Sequence, residues 1–367
     1  MNILKELEHL ELMQSPIGEL QESSLPLVMW GAGDVAEEVN EYLSIHGVRL
    51  SDVFVDDEYY TDNLMFGGEK IISRTELCEK YSKVNVILGH SSYEKISLLE
   101  GRKIINKVFY LFSVSYGVYD KTPLNLIQEN IDEFELVSQQ LEDELSRMNY
   151  LAFLKTRVTG NNQYILDIFK KEANYFNNDV FRIGEEEVFL DIGAYDGDTI
   201  RLFMKESGEK YKRIYALEPD DINRSRLNRY ITDTGLDNVF ITEKGAWNKS
   251  GRLYFSFNNE QICGVVAEGI ASGNAKSIIV EPLDTLFEYQ DNVTMLKINY
   301  FEGVKEALQG AENILKTHKP KLAVTVGFDC RNIRSIPKLI KEINPDYKLY
   351  LRYNHGMLSS LVLYGII

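Results

Sequence analysis

One short stretch near the middle of the chain concentrates groups that could do chemistry: Asp191-Ile192-Gly193-Ala194-Tyr195-Asp196-Gly197-Asp198-Thr199. It follows the apolar run Val188–Leu190 and precedes a helical pattern, so its glycines fall where a strand turns into a helix. Glycines at such a turn let the backbone come close to a ligand. The three carboxylates Asp191, Asp196 and Asp198 set the sign of that ligand. They would repel a pyrophosphate. They suit a molecule with a cationic sulfonium and an amino group. Glu218 closes the next strand, 25 residues after Gly193. An acid in that place is positioned to accept from both hydroxyls of a ribose.

A second glycine turn lies near the start of the chain. Leu25–Trp30 leads into Gly31-Ala32-Gly33-Asp34-Val35-Ala36. Gly31, Gly33 and Ala36 fit a G-x-G-x-x-A turn, and Asp56 or Asp57, after Val53–Val55, fits the ribose acid. The turn resembles that of small domains that precede sugar-modifying enzymes and bind nucleotide-sugars. A structural α/β domain that has kept the turn is the alternative reading, and the motif alone does not name NAD. Cys78, Cys263 and Cys330 stand far apart with no C-x-x-C spacing, so no metal site is expected and the thiols read as reduced, in a cytoplasmic protein. His9, His46, His90 and His318 fall in no cluster.

Strands and helices must position these residues. Apolar spacing predicts a short N-terminal helix over residues 3–13, strands at Val53–Val55, Val84–Gly89 and Val108–Phe112, and helical segments from Thr122 to Phe181. Strands follow at Val188–Leu190, Arg213–Leu217, Val239–Thr242, Met295–Ile298, Leu322–Val326, Lys348–Arg352 and Leu361–Tyr364, with helices at about 199–207 and 221–233. Leu253–Phe257 alternates like a hairpin arm. The expected architecture is α/β. Two Rossmann-like, doubly wound domains flank a helical connector that packs on both. The boundaries are 1–24 for the N-terminal helix, 25–116 for the small domain, 117–180 for the connector and 181–367 for the larger domain.

Val188–Thr199, Ala216–Pro219, Pro282-Leu283-Asp284, Ala307–Ala311, Tyr350–Arg352 and Leu361–Tyr364 together resemble the FkbM family of methyltransferases. Arg157–Gly160 and Tyr175-Phe176 resemble the segment preceding that domain in longer bacterial members. The resemblance covers about 125–367. It implies a class I methyltransferase domain that uses S-adenosylmethionine for O-methylation, often of sugars in polysaccharides or of natural products. It also implies that Asp191, Gly193 and Asp196, with Gly197, line the cofactor loop while Glu218 holds the ribose.

The departures from that family fall on the acceptor side. Members carry Lys-x-Asp-x-Glu-Gly after the fourth strand. From Lys297 onward this chain has Asn299 at the Asp, Phe301 at the Glu and Glu302 at the Gly, or, slipped by one, Tyr300 at the Asp. Two family histidines fall at Phe328 and Tyr353. An alcohol needs a base before it attacks well. The remaining candidates are His355, whose imidazole titrates near neutral pH, then Asp329 and Glu302, beside the phenols of Tyr300 and Tyr353.

The net charge of −16 argues against a nucleic-acid partner and against docking on an anionic membrane. No window approaches a membrane span. The expected function is S-adenosylmethionine-dependent O-methylation of a sugar or glycan precursor, with a nucleotide-sugar as possible ligand of Gly31, Gly33 and Asp56. The alternative is a cofactor-binding scaffold or regulator in glycan assembly with weakened or lost catalysis.

Overall fold

The computed structural model describes residues 2–7, 10, 16–90, 99, 102–111, 122–159, 163–168, 174–176, 179–258, 261–266, 275–287, 289, 291–299, 303–328, 330–354 and 360–367. Two short helices, α1 (Ile3–Leu7) and α2 (Pro16–Gln21), come first. The first sheet follows with β1 (Leu27–Trp30), α3 (Asp34–Ile45), β2 (Asp52–Val55), the small hairpin of β3 (Met65–Phe66) and β4 (Glu69–Lys70), β5 (Ile72–Ser73), α4 (Arg74–Lys80), β6 (Val84–Leu88) and β7 (Ile105–Tyr110). Its order is β5-β2-β1-β6-β7, parallel throughout. β1 and β6 are buried along their whole length, as central strands of a parallel sheet must be. Side chains alternate between faces: Met29 and Ile87 pack with Ala36, Val39 and Leu43 of α3, while Val28, Trp30, Val86 and Leu88 pack with Leu77 of α4. A capping box between Ser73 and Glu76 starts α4.

The connector contains α5 (Thr122–Glu129), α6 (Ile131–Gln140), α7 (Glu144–Thr159) and α8 (Gln163–Leu166). Then come β8 (Val188–Ile192), α9 (Asp198–Ser207), β9 (Arg213–Leu217), α10 (Asp221–Thr234), β10 (Val239–Thr242), β11 (Gly245–Ala246), β12 (Gly251–Asn258), β13 (Gln261–Val266), β14 (Ala275–Glu281), α11 (Leu283–Leu286), β15 (Met295–Ile298), α12 (Val304–Gln309), β16 (Lys321–Thr325), α13 (Cys330–Ile343), β17 (Lys348–Tyr353) and β18 (Leu361–Ile366). The main sheet runs β10-β9-β8-β15-β16-β18-β17, parallel except for β18. β12 forms a hairpin with β13 and also pairs with β14, which joins β11 in a second, smaller sheet. The main sheet is a doubly wound α/β arrangement. Among the described residues no helix is long and apolar enough to cross a membrane.

The described helices of the connector pack on the C-terminal sheet. Tyr150, Phe153, Leu154 and Val158 of α7 join one core with β8, β15, β16 and α13, and Ile3 and Leu7 of α1 belong to that same core. Ile17 and Leu20 of α2 belong instead to the first sheet. Among the described residues no core cluster unites a connector helix with the first sheet. The connector covers the exposed flank of edge strand β17. Glu142 N–H donates to the Leu349 carbonyl at 3.0 Å, Leu351 N–H donates to Ser146 Oγ at 3.0 Å, and Tyr353 N–H donates to Asn149 Oδ1 at 3.1 Å. Arg352 fastens the junction, donating to Asp143 Oδ2 at 2.6 Å, Ser146 Oγ at 2.8 Å and Asp179 Oδ1 at 2.8 Å.

Gly310 ends α12 with φ −74°, a conformation open to any residue. Space is the constraint: a Cβ there would run into the Trp247 carbonyl oxygen. Gly→Ala in an exposed helix commonly stabilises by up to about 1 kcal/mol. Gly310→Ala is expected to do the opposite and cost about 2–3 kcal/mol through overpacking, read as a lower midpoint in urea denaturation.

Candidate functional site

The carboxyl ends of β8, β9 and β15 meet at the turn that follows β8. The parallel register sets Lys297 of β15 beside Asp191 of β8. Both are fully buried, at 0% exposure. Lys297 Nζ donates to Asp191 Oδ1 at 2.9 Å and to the Gly193 carbonyl at 2.8 Å. Asp191 Oδ2 is buried and has no hydrogen-bond partner. Burial pushes the Asp191 carboxyl up to about 6, against the pull of Lys297. Burial also works against the ammonium of Lys297, but Asp191, Tyr175 and Asp198 hold its pKa above the ordinary lysine value.

The backbone of the turn is left-handed at Gly193 (φ +77°), Tyr195 (φ +49°) and Gly197 (φ +91°). Two of these are glycines, which adopt that region without strain. Gly197 is held to glycine twice over, because a Cβ there would meet Leu227 and Tyr230 at 3.0 Å. The N–H groups of Gly193 and Ala194 donate to the Leu217 carbonyl at 3.1 and 3.0 Å, tying the turn to the end of β9.

One residue on, Glu218 is 6% exposed. Its Oε2 accepts from Tyr195 N–H at 2.8 Å and its Oε1 from Asp220 N–H at 2.9 Å. A carboxylate oxygen can take a second donor, so both oxygens can still receive a hydroxyl. Burial pushes Glu218 up to about 7, against the two backbone N–H groups. Asp220 caps α10 through Ile222 and Asn223 N–H, and Lys276 at the start of β14 reaches Asp220 Oδ2 at 3.1 Å. The smaller sheet is thereby attached to the Glu218 turn.

Asp191, at the end of β8, and Glu218, after β9, are thus gathered around the turn that carries Gly193 and Gly197. Asp196 sits on the same turn, but its carboxylate is paired with Arg201 at 2.5 Å on the surface. Sequence reasoning gave Lys297 no role. Its signals were its place as the lysine of the Lys-x-Asp-x-Glu-Gly pattern and its lone charge in the otherwise apolar strand Met295-Leu296-Lys297-Ile298. Tyr175 was also unassigned. Its ring lies 5.7 Å from Lys297 Nζ, and its hydroxyl is 3.1 Å from Thr325 Oγ1 at the end of β16.

The proposed acceptor-side residues Glu302, Asp329 and His355, with Tyr300 and Phe301, lie outside the described residues. Their described neighbours do not. Asn299 is exposed, with its N–H on the Ile192 carbonyl at 3.1 Å. The Gly327 and Phe328 carbonyls accept from Arg157 of α7 at 2.9 and 2.6 Å. Tyr353 is 2% exposed, its hydroxyl has no hydrogen-bond partner, and burial raises its phenol well above the ordinary value. That phenol stays protonated near neutral pH and does not serve as a base.

In the first sheet, Gly31 has φ +109°, and a Cβ on it would stand 2.8 Å from the Gly89 carbonyl and the His90 ring. Gly33 N-caps α3 and faces open space. Asp56 is ion-paired with Arg74, whose guanidinium lies 5.0 Å over the Trp30 ring. Asp57 instead accepts from Thr75 N–H and Oγ1 at 3.0 Å.

No family model matches this chain, and no curated protein does. Among solved structures, a methyltransferase FkbM from Methylobacillus flagellatus superimposes on 99% of this chain and 98% of its own, with a TM-score of 0.69 and 21% identity. The chain has the fold of an FkbM methyltransferase. At that identity the likeness is one of fold. An rRNA methylase from Streptococcus thermophilus (14% identity, 50% of this chain, 89% of that one, TM-score 0.32) and a SAM dependent methyltransferase from Aquifex aeolicus (12%, 56%, 98%, 0.31) are partial likenesses too weak to bear on this chain. The FkbM-type fold places the 193–197 turn at the carboxyl end of its central strands, where open α/β sheets hold ligands.

The raised pKa of Glu218 carries a signed expectation. Its folded value, about 7, lies above its ordinary 4.5. Without ligand, the group therefore costs stability at pH above about 7, and that cost is relieved as pH falls toward 4.5. A ribose diol needs the carboxylate form. Adenosine-type ligands are expected to bind best above about pH 7 and to weaken as pH falls through that value. Calorimetry across this range, with Glu218→Gln as the variant that loses affinity and this pH step together, checks it.

Proposed function

We propose that this protein is an S-adenosylmethionine-dependent O-methyltransferase. The observation that carries the reading is the pair of buried acids around one left-handed turn. Glu218 keeps acceptor capacity on both oxygens, and Asp191 keeps a carboxylate oxygen with no partner. A diol and an ammonium are what such a pair lacks, and the cofactor has both. The donor set therefore fits. Glu218 would hold the ribose, Asp191 the amino group, and Gly193 and Gly197 would let the backbone close around the nucleoside. When bound, the cofactor supplies a methyl group already activated on a sulfonium. The chain's part is to orient the acceptor and take its proton. His355 is the first proposed base, then Asp329 and Glu302. Positioning itself supplies much of the acceleration in such transfers.

The acceptor class we propose is a sugar or glycan precursor, handled in the cytoplasm, where thiols such as Cys78 and Cys330 stay reduced. The sequence resemblance supports the sugar. A nucleotide-sugar is the proposed ligand of Gly31, Gly33 and Asp56. The strand order β5-β2-β1-β6-β7 supports it, since the Gly31 turn leaves β1 where the order reverses toward β6. The engagement of Asp56 by Arg74 means that this acid must exchange partners to receive a ribose.

Two measurements test the reading. S-adenosylhomocysteine is expected to bind in the micromolar range, about −8 kcal/mol, and Glu218→Ala to weaken it by about tenfold or more. Labelled S-adenosylmethionine with a panel of nucleotide-sugars is expected to give a methylated product, with turnover reduced in His355→Ala. Tight binding of NAD with none of S-adenosylhomocysteine would overturn the cofactor assignment. Normal cofactor binding without turnover on any acceptor would favour a scaffold or regulator in glycan assembly.

A further inference from the structure

The buried pair beneath the cofactor turn is chemically unequal. Lys297 donates to Asp191 Oδ1 and to the Gly193 carbonyl, while Asp191 accepts through Oδ1 alone and leaves Oδ2 without a partner. Buried acceptors are almost always satisfied, and leaving one on an ionised group is costly. A carboxyl at 0% exposure with no cation beside it takes up a proton instead. Once protonated, it no longer offers an ammonium the charge-assisted bond that a carboxylate does.

We propose that Lys297 is a positioning residue that keeps Asp191 ionised and oriented, so that the unpartnered carboxylate oxygen selects nucleosides bearing an ammonium group over the same nucleoside without one. This rests on the cofactor reading given above. Lys297 acts through Asp191 and does not touch the ligand. Its ammonium is enclosed by Asp191, the Gly193 carbonyl and the face of Tyr175. The other charged or titratable groups acting on Asp191 and Lys297 include Asp198 at the start of α9, Tyr175 ahead of β8 and Glu218 after β9, whose effect both nucleosides share through their ribose. Selectivity for the ammonium should be present above about pH 6 and disappear as pH falls through it, because burial pushes the Asp191 carboxyl up to that value.

The test is calorimetry on the full chain with S-adenosylhomocysteine, 5′-methylthioadenosine and decarboxylated S-adenosylmethionine. The second lacks the amino-acid end, and the third keeps the amine without the carboxylate. Wild type near neutral pH is expected to prefer S-adenosylhomocysteine over methylthioadenosine by about tenfold to a hundredfold. Lys297→Met should bring that ratio near unity, with S-adenosylhomocysteine losing far more affinity than methylthioadenosine. Asp191→Asn should do the same, and the double variant should lose no more than either single one, as expected for two residues acting as a unit. Decarboxylated S-adenosylmethionine should lose affinity in Lys297→Met as well. If it does not, while S-adenosylhomocysteine does, Lys297 meets the ligand carboxylate directly and the proposal is wrong. A ratio unchanged in Lys297→Met also overturns it. Equal binding of both nucleosides by wild type would leave the cofactor reading standing and remove the role of Lys297; binding of neither would remove both. Should Lys297→Met fail to fold, the wild-type ratio decides alone, and a ratio that stays constant as pH falls through about 6 overturns the proposal.

Discussion

A lysine ammonium sealed from water lies at the centre of the C-terminal sheet. Removing two charges from solvent costs several kcal/mol per ion, and their attraction seldom does more than offset it. The Asp191–Lys297 pair is therefore a weak candidate for a stabilising device and a strong one for a shaping device. It joins neighbouring central strands at their carboxyl ends, where the next residues must leave the sheet. From there Lys297 holds the turn by the Gly193 carbonyl, and Glu218 holds it by the Tyr195 N–H. A backbone pinned from both sides can sustain three left-handed residues in five, including the non-glycine Tyr195.

Much of this was legible in the sequence because its signals are local. The strands of the main sheet appear as short apolar runs, and the turn appears as glycines and acids at fixed offsets. Glu218 was readable because the acid after the second strand lies at a characteristic distance from the first glycine. Lys297 was visible as the lysine of a family pattern, but its pairing with Asp191 was not, since the two are 106 residues apart and only strand register brings them together. The second sheet was half visible. The alternation at Leu253–Phe257 marked one arm, but the pairing of β14 with both β12 and β11 is a long-range fact. The polarity of Asp56 was readable, but not its capture by Arg74, which enters from the start of α4.

The connector shows how much of a helix's destination an apolar period leaves open. Helical spacing says that one face is buried, and nothing in it says against what. The deciding residues are polar. Ser146 and Asn149 face inward and receive backbone N–H groups of β17, while Arg352 draws in Asp143 and Asp179. An edge strand offers unpaired backbone groups to any passing chain. Here a helix with well-placed hydroxyl and amide groups answers some of them.

The placement of α1 bears on the order in which the chain can complete itself. Ile3 and Leu7 pack in the core formed by α6, α7 and the C-terminal sheet, whereas the neighbouring Ile17 and Leu20 pack with the first sheet. In topological terms the first sheet is an insertion between α1 and the rest of the core that α1 completes. During synthesis the first sheet can close from residues already made, while Ile3 and Leu7 must wait for partners as distant as Phe134 and Tyr150. Excising the first sheet cleanly would therefore mean rejoining α1 to the connector, and a simple truncation at the start of α5 would leave a hole in the remaining core.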